Sequence, residues 1–218
     1  MQRSSIRAST ALVLVLGMAL HGGAGCRRQA RSAEQALARL QNVVANRDPA
    51  ALFDVLDQRS RWAWMTIQKS HREAYDIILS NYPEGPERER ELRRFQKGAV
   101  LGSARALFAD ELGQGALAQL ASPLPPVQRF ETVAAAAAPA AAAAPAAGPD
   151  PDSGDEPVRE AILTDGTRLP FRRGPDGGWG YSGLARTSAE RQNRALHDVE
   201  LVRASAADYE RAAARSGR

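Results

Sequence analysis

The chain has 218 residues, 29 Lys and Arg against 25 Asp and Glu, a formal net charge of +4 and a single cysteine. That length allows one ordinary domain or two small ones, and one cysteine excludes a disulfide framework. The net charge is small, the arginines and carboxylates alternate along most of the chain, and no basic block is interleaved with aromatics. These features argue against a nucleic-acid groove.

The N-terminal stretch places Arg3 and Arg7 before an apolar run over residues 11–20, followed by Gly22-Gly23-Ala24-Gly25 and then Cys26. A basic start, a short apolar core and small residues form the layout of a secretory signal. Ten apolar residues are too few to cross a bilayer as a helix, which takes roughly twenty. The cysteine directly after the small residues resembles the lipobox of bacterial lipoproteins. Ala24 and Gly25 meet its small-residue positions, and Gly23 stands where the family usually has Leu. The resemblance implies removal of residues 1–25 and acylation of Cys26 with chains such as palmitate. Two or more chains hold a protein stably at a membrane, at about 0.8 kcal/mol per buried methylene. Arg27, and not Asp, follows the cysteine, which by the Gram-negative sorting rule implies the outer membrane, facing the periplasm. Arg27, Arg28 and Arg31 are suited to anionic headgroups. Removing 25 of the 218 residues leaves 193, and the loss of Arg3 and Arg7 lowers the charge from +4 to +2.

Residues 26–32 are then a lipidated N-terminus, and 33–218 a single α+β domain. Over 33–44, Ala33, Ala36, Leu37, Leu40, Val43 and Val44 recur at helical spacing. Asp48-Pro49 is an N-cap followed by proline at the first helical position, predicting a short helix to about Asp57 that buries Leu52, Phe53, Val55 and Leu56. Ser60 is the expected cap of a third helix over 61–80, with Trp62, Met65, Ile67, Ala74, Ile77 and Ile78 as its apolar set. Asn81-Tyr82-Pro83 ends it. Pro86 opens a helix whose alternating Glu and Arg through Arg94 read as a solvated face. Gly98 and Gly102 are expected to interrupt it before helix resumes over 104–112. Gly113 and Gly115 are expected to break that segment ahead of a short helix ending near Ala121. Pro123, Pro125 and Pro126 close the helical half.

Four strands follow, over 127–133, 158–163, 168–173 and 179–184. Asp165-Gly166 and Pro175-Asp176-Gly177-Gly178 lie between the last three, and Asp-Gly between extended runs signals a hairpin. A helix from 187 to about 215 carries Leu196, Val199, Val202, Ala206 and Tyr209. Residues 134–157 are rich in Ala and Pro, interrupted at Pro139 and Pro145, without large apolar side chains to bury. They are expected to be disordered, either as a linker between domains or as a long loop between adjacent strands. The loop is preferred, because it lets 127–133 pair with 158–163 and gives the sheet a helical face to pack on. The fold class is therefore α+β: N-terminal helices on a four-stranded antiparallel sheet, then a C-terminal helix. Element order over residues 33–184, with the Gly-Gly-Trp-Gly-Tyr strand, is similar to the nuclear-transport-factor-two-like, cone-shaped fold of many small bacterial lipoproteins. Such folds serve enzymes and binding modules alike.

Chemistry is sparse. His71 and His197 fall on different helices without a second ligand at helical spacing, and no His-Glu-x-x-His pattern occurs, so neither metal nor cofactor is expected. There is no Gly-x-Ser-x-Gly elbow, Thr66-Ile67-Gln68-Lys69 has Thr in place of the Ser of Ser-x-x-Lys, and residues 174–183 lack a phosphate-loop ending. The glycines there are read as turn residues. Trp62 and Trp64 point different ways on a helix, whereas Trp179 and Tyr181 share one face of a strand. With Phe171 these four are the candidate lining of an apolar pocket, if the sheet encloses one; otherwise they are core. The expected role is that of a non-enzymatic envelope lipoprotein, held to the membrane through Cys26 and acting by contact with an envelope protein. The alternative is a periplasm-facing binder of a small apolar ligand in the aromatic pocket.

Overall fold

The computed structural model describes residues 29–133 and 157–216. The signal segment, Cys26 and residues 134–156 of the Ala/Pro stretch lie outside the described residues. The elements are α1 (Ala33–Asn46), α2 (Pro49–Val55), α3 (Gln58–Asn81), α4 (Pro86–Val100), α5 (Ala104–Phe108), a π-helical turn (Ala109–Gly113), α6 (Gln114–Gln119), β1 (Val127–Val133), β2 (Val158–Leu163), β3 (Arg168–Arg173), β4 (Trp179–Tyr181) and α7 (Ala185–Ser216). The fold is α+β, with helices preceding a four-stranded antiparallel sheet and one long helix after it.

The sheet runs in the order β1-β2-β3-β4. β1 and β2 pair from Val127↔Leu163 to Val133↔Val158, as expected of strands on either side of a long loop. Both tighter turns use glycine at positive φ, Gly166 at 86° and Gly177 at 80°, where a Cβ would be strained. Asp165 and Asp176 complete the turns by accepting the backbone N–H two residues on, from Thr167 and Gly178. β4 ends at Tyr181, three residues earlier than its apolar run, because a second chain segment takes over there. The Tyr181 carbonyl accepts the Asp57 N–H at 2.9 Å, Leu56 bridges Tyr181, and a Cβ on Gly180 would stand 2.5 Å from the Leu56 carbonyl oxygen.

α1 lies across the sheet with all six residues of its predicted stripe buried. The main core joins it to α2, α3, α5 and the inner face of the strands through Leu37, Leu40, Leu52, Trp64, Phe108, Leu163 and Phe171. A second cluster, with Ala74, Ile78, Phe95, Val199, Val202 and Ala206, lies where α3, α4 and α7 meet. Packed structure begins earlier than residue 33: Ala30 is buried, and its carbonyl accepts the Trp179 N–H at 2.8 Å on the β4 edge.

The helical half differs from expectation in four places. α2 stops at Val55, because Leu56 turns into the bridge to β4, and only Leu52 of the helix is fully buried. Asp57, not Ser60, caps α3: its carboxylate accepts the Ser60 N–H (3.0 Å) and hydroxyl (2.8 Å). Trp62 and Met65 are exposed (46 % and 55 %), since the buried stripe of α3 is Ser60, Ala63, Trp64, Ile67, Ser70, Ala74 and Ile78. Finally, Gly98 does not interrupt α4, and Gly113 and Gly115 do not break the following helix. A Cβ on Gly98 would fall 2.3 Å from Nδ1 of His71, and one on Gly113 2.8 Å from Cβ of Pro49, so these two glycines serve close helix packing. Helix passes from α5 to α6 through the π turn. Leu196 is also exposed, with Ala195 and Val199 taking the inner face of α7.

Candidate functional site

The five aromatics do not gather around one cavity. Trp64 is fully buried, stands edge-on to Phe108 (5.2 Å between centroids, 84°) and donates its indole N–H to the Ser188 hydroxyl at 3.2 Å. Phe171 and Tyr181 are packed together in the core with centroids 5.9 Å apart, and burial raises the Tyr181 phenol above its ordinary pKa. Trp62 faces outward on α3. Trp179, half-buried, borders a space of about 20 Å³, too small for anything beyond one oxygen-sized group. These rings fill the core that an aromatic-lined pocket would have hollowed.

Open space lies elsewhere. A cleft of about 520 Å³ runs between α1, α2 and the first turn of α3, within the range of small-molecule sites. Arg39, Arg61 and Asp54 supply its charged groups, Asn42 and Gln29 its neutral polar groups, and Val43 and Val55 an apolar wall. Three helices reach one cleft because their connections are short: Arg47 in the left-handed region (φ 49°) turns α1 into α2, and Leu56-Asp57 turns α2 into α3. The cleft shares Gln29, Arg39, Asp54 and Arg61 with the small space beside Trp179, where Gln58 and the Gly178–Gly180 turn form the far wall. Gly178 permits this approach, since a Cβ there would meet the Gln29 amide oxygen at 2.4 Å. Nε of Arg61 and Oε1 of Gln58, the latter against Gly174, are buried without a hydrogen-bond partner among the described residues. A donor and an acceptor left unmatched out of water are costly, typically about 1–3 kcal/mol each. The Asp54 carboxylate on the wall is held at 3.1 Å by Arg105.

A second groove, of about 570 Å³, separates α7 from α3, α4 and the π turn. Here charges are matched: Arg94 binds Asp198 at 2.5 Å, and Arg191 binds Glu111 at 2.9 Å while lying over the Trp64 ring at 5.7 Å. His71 stands among them, half-buried, tilted against Phe95 at 5.7 Å. Burial lowers its pKa from the ordinary value near 6.5, with Glu111 and Asp198 opposing the shift, so the ring is neutral at pH 7. Among the described residues lining this groove, Thr187 alone carries a hydroxyl. His197 is exposed. Among the described residues no group of three or more His, Cys, Asp or Glu comes together to hold a metal ion, and no helix is long and apolar enough to cross a membrane.

Arg39, Arg61, Gln29 and Gln58 were not singled out by their sequence. Arg39 and Arg61 resemble every other arginine on a mixed-charge helix, and only the two tight helix connections bring them to one cleft. No protein-family model, curated protein or solved structure matches the chain.

Proposed function

We propose that this protein is a lipid-anchored component of the bacterial envelope, held at the outer membrane through Cys26, facing the periplasm and acting by binding and not by catalysis. The observation that carries the reading is the cysteine itself: the sole thiol of the chain, directly after Gly23-Ala24-Gly25 and an apolar run of signal-peptide length. The order of helices then antiparallel sheet supports the similarity to nuclear-transport-factor-two-like lipoproteins. A non-catalytic role is supported by the second groove, where the acids beside His71 are already bonded to arginines and are poorly placed to work as bases. The sheet begins almost at the anchor, since Ala30 is only four residues beyond Cys26. The folded body then rides close to the bilayer, and its contacts are with molecules at that surface or with proteins beside it.

Metabolic labelling with a palmitate analogue tests the anchor. The wild-type chain should incorporate label and fractionate with outer membranes, and Cys26→Ala should lose the label and become soluble in the periplasm. Equal labelling of both chains, or a soluble wild-type protein, overturns the reading.

A further inference from the structure

We infer that the first half of α3 is the face this protein lays on the bilayer, with Trp62 and Met65 entering the headgroup region of an anionic membrane and Lys69 and Arg72 meeting its phosphates. Trp62 and Met65 carry the argument. Among the described residues six large apolar side chains are exposed, and only these two stand one turn apart on one helix. The rest of the fold leaves them uncovered: beside Met65 lies an open depression of about 380 Å³ bordered by Thr66, Lys69 and Ala104. The indole ring, apolar with one polar N–H, suits the boundary between headgroups and acyl chains.

The charge of this helix segment fits the same partner. Residues 58–72 contain Arg59, Arg61, Lys69 and Arg72 and no Asp or Glu, although the two signs alternate over most of the chain. At helical spacing Trp62, Met65, Lys69 and Arg72 form one stripe, and all four are exposed. The stripe is apolar at its start and basic over its next two turns. An anionic leaflet attracts those cations, whereas a second copy of the chain, related by a two-fold axis, would set one basic stripe against another.

Position supplies the third observation. Gln58, one turn before Trp62 on the same face, packs on the turn between β3 and β4, where a Cβ on Gly174 would meet its Oε1 at 2.6 Å. Gln29 packs on the other limb of that turn: it donates to Asp176 at 2.5 Å, and a Cβ on Gly178 would stand 2.4 Å from its Oε1. The two limbs are joined by the bond from the Gly174 N–H to the Gly178 carbonyl at 2.7 Å. Gln29 stands three residues beyond Cys26, at most about 10 Å of extended chain, and Trp62 lies about 6 Å along α3 from Gln58. The lipid end and the apolar pair therefore share one end of the folded body. This placement rests on the proposed anchor; the exposure and charge of the stripe do not.

The test is depth-dependent fluorescence quenching of the acylated protein, purified from membranes and reconstituted into vesicles of phosphatidylethanolamine and phosphatidylglycerol. Bromines are placed on the acyl chains near the headgroup or near the terminal methyl, and the Trp62 signal is the difference between wild type and Trp62→Phe. Shallow bromines are expected to quench Trp62 at least about twice as strongly as deep ones, as for a side chain at the headgroup boundary. Met65→Asp should cut this signal at least about two-fold, and so should Lys69→Glu combined with Arg72→Glu. All four positions are exposed, so the variants should keep the fold, which circular dichroism checks. Equal quenching of wild type and Trp62→Phe, or a signal that survives either set of substitutions, overturns the proposal. So does a dimer in sedimentation velocity that Met65→Asp dissociates, which assigns the face to a second copy. Should palmitate labelling fail, the soluble wild-type chain is added to the same vesicles and judged by the same criteria. Quenching without labelling refutes the anchor alone, and labelling without quenching refutes the face alone.

Discussion

The two large grooves contain similar residues and handle them in opposite ways. Around His71, arginine and carboxylate come in pairs from facing helices, Arg94 with Asp198 and Arg191 with Glu111, and the pairs tie α7 to its neighbours. Beside the cleft between α1, α2 and α3, Arg61 has a buried nitrogen that no described residue meets. Charge alone does not mark a binding site. The groove around His71 has Arg94 and Arg191 paired across it and reads as a seam between helices, whereas the cleft between α1, α2 and α3 is bordered by residues with buried polar atoms that no described residue meets. Unmet capacity of this kind costs stability in the folded protein.

The comparison can be broken most forcefully at the seam. Gly98→Ala adds helix propensity worth about 1 kcal/mol but drives a methyl into the His71 ring and its Cβ, where overpacking costs about 1–3 kcal/mol and more when the neighbour cannot move. A net loss of stability is expected, read from the midpoint of urea denaturation. A neutral or stabilising result would mean that α3 and α4 are loosely apposed and the seam is not tight.

Removing one arginine from each groove sharpens the contrast. Arg191→Ala leaves the Glu111 carboxylate without its partner, and because Arg191 is about a third exposed the loss should be modest, up to about 1 kcal/mol. Arg61→Ala removes an unmatched donor, so stability should stay level or rise slightly in the same denaturation series. Equal losses would show that the two grooves are energetically alike.

The smallest expected effect is a pH slope. His71 has its pKa lowered in the folded state, chiefly by burial, so the unfolded chain takes up this proton at higher pH than the folded one. Below about pH 6.5 the unfolded state therefore gains, and stability falls as pH drops toward the lowered folded pKa; above that range the residue contributes no slope. Glu111, Asp198 and Arg94 face the ring, and the two acids limit the effect by favouring the charged form. His71→Gln should flatten the slope below about pH 6.5, measured as melting temperature against pH. An unchanged slope would locate the titration elsewhere.

Much of the fold was legible because its signals are local. Asp48-Pro49 specified the start of α2, Asp165-Gly166 and Gly177 specified the turns, and β1, β2 and β3 have the bounds their apolar runs imply. The misplacements come from packing that hydropathy does not encode. Ser60 and Ser70 belong to the buried stripe of α3 because they are small, which turns the larger Trp62 and Met65 outward. Gly98 and Gly113 look like helix breakers in isolation, yet each sits where another element comes too close for a side chain. The cleft was illegible for a different reason: its arginines come from separate helices and form no spacing motif, and what distinguishes Arg61 is a missing partner, which no sequence displays.

α7 has a consequence for how the chain reaches this state. Its 32 residues extend about 48 Å, and it supplies Ala195 to the main core and Val199, Val202 and Ala206 to the second. Its start also holds Ser188, the acceptor for the buried Trp64 indole. Neither core can close before residues near 200 have left the ribosome, so the helices ahead of them wait with their apolar faces uncovered. Vectorial synthesis thus delivers an open chain for most of its length and places the decisive folding step after α7 has emerged.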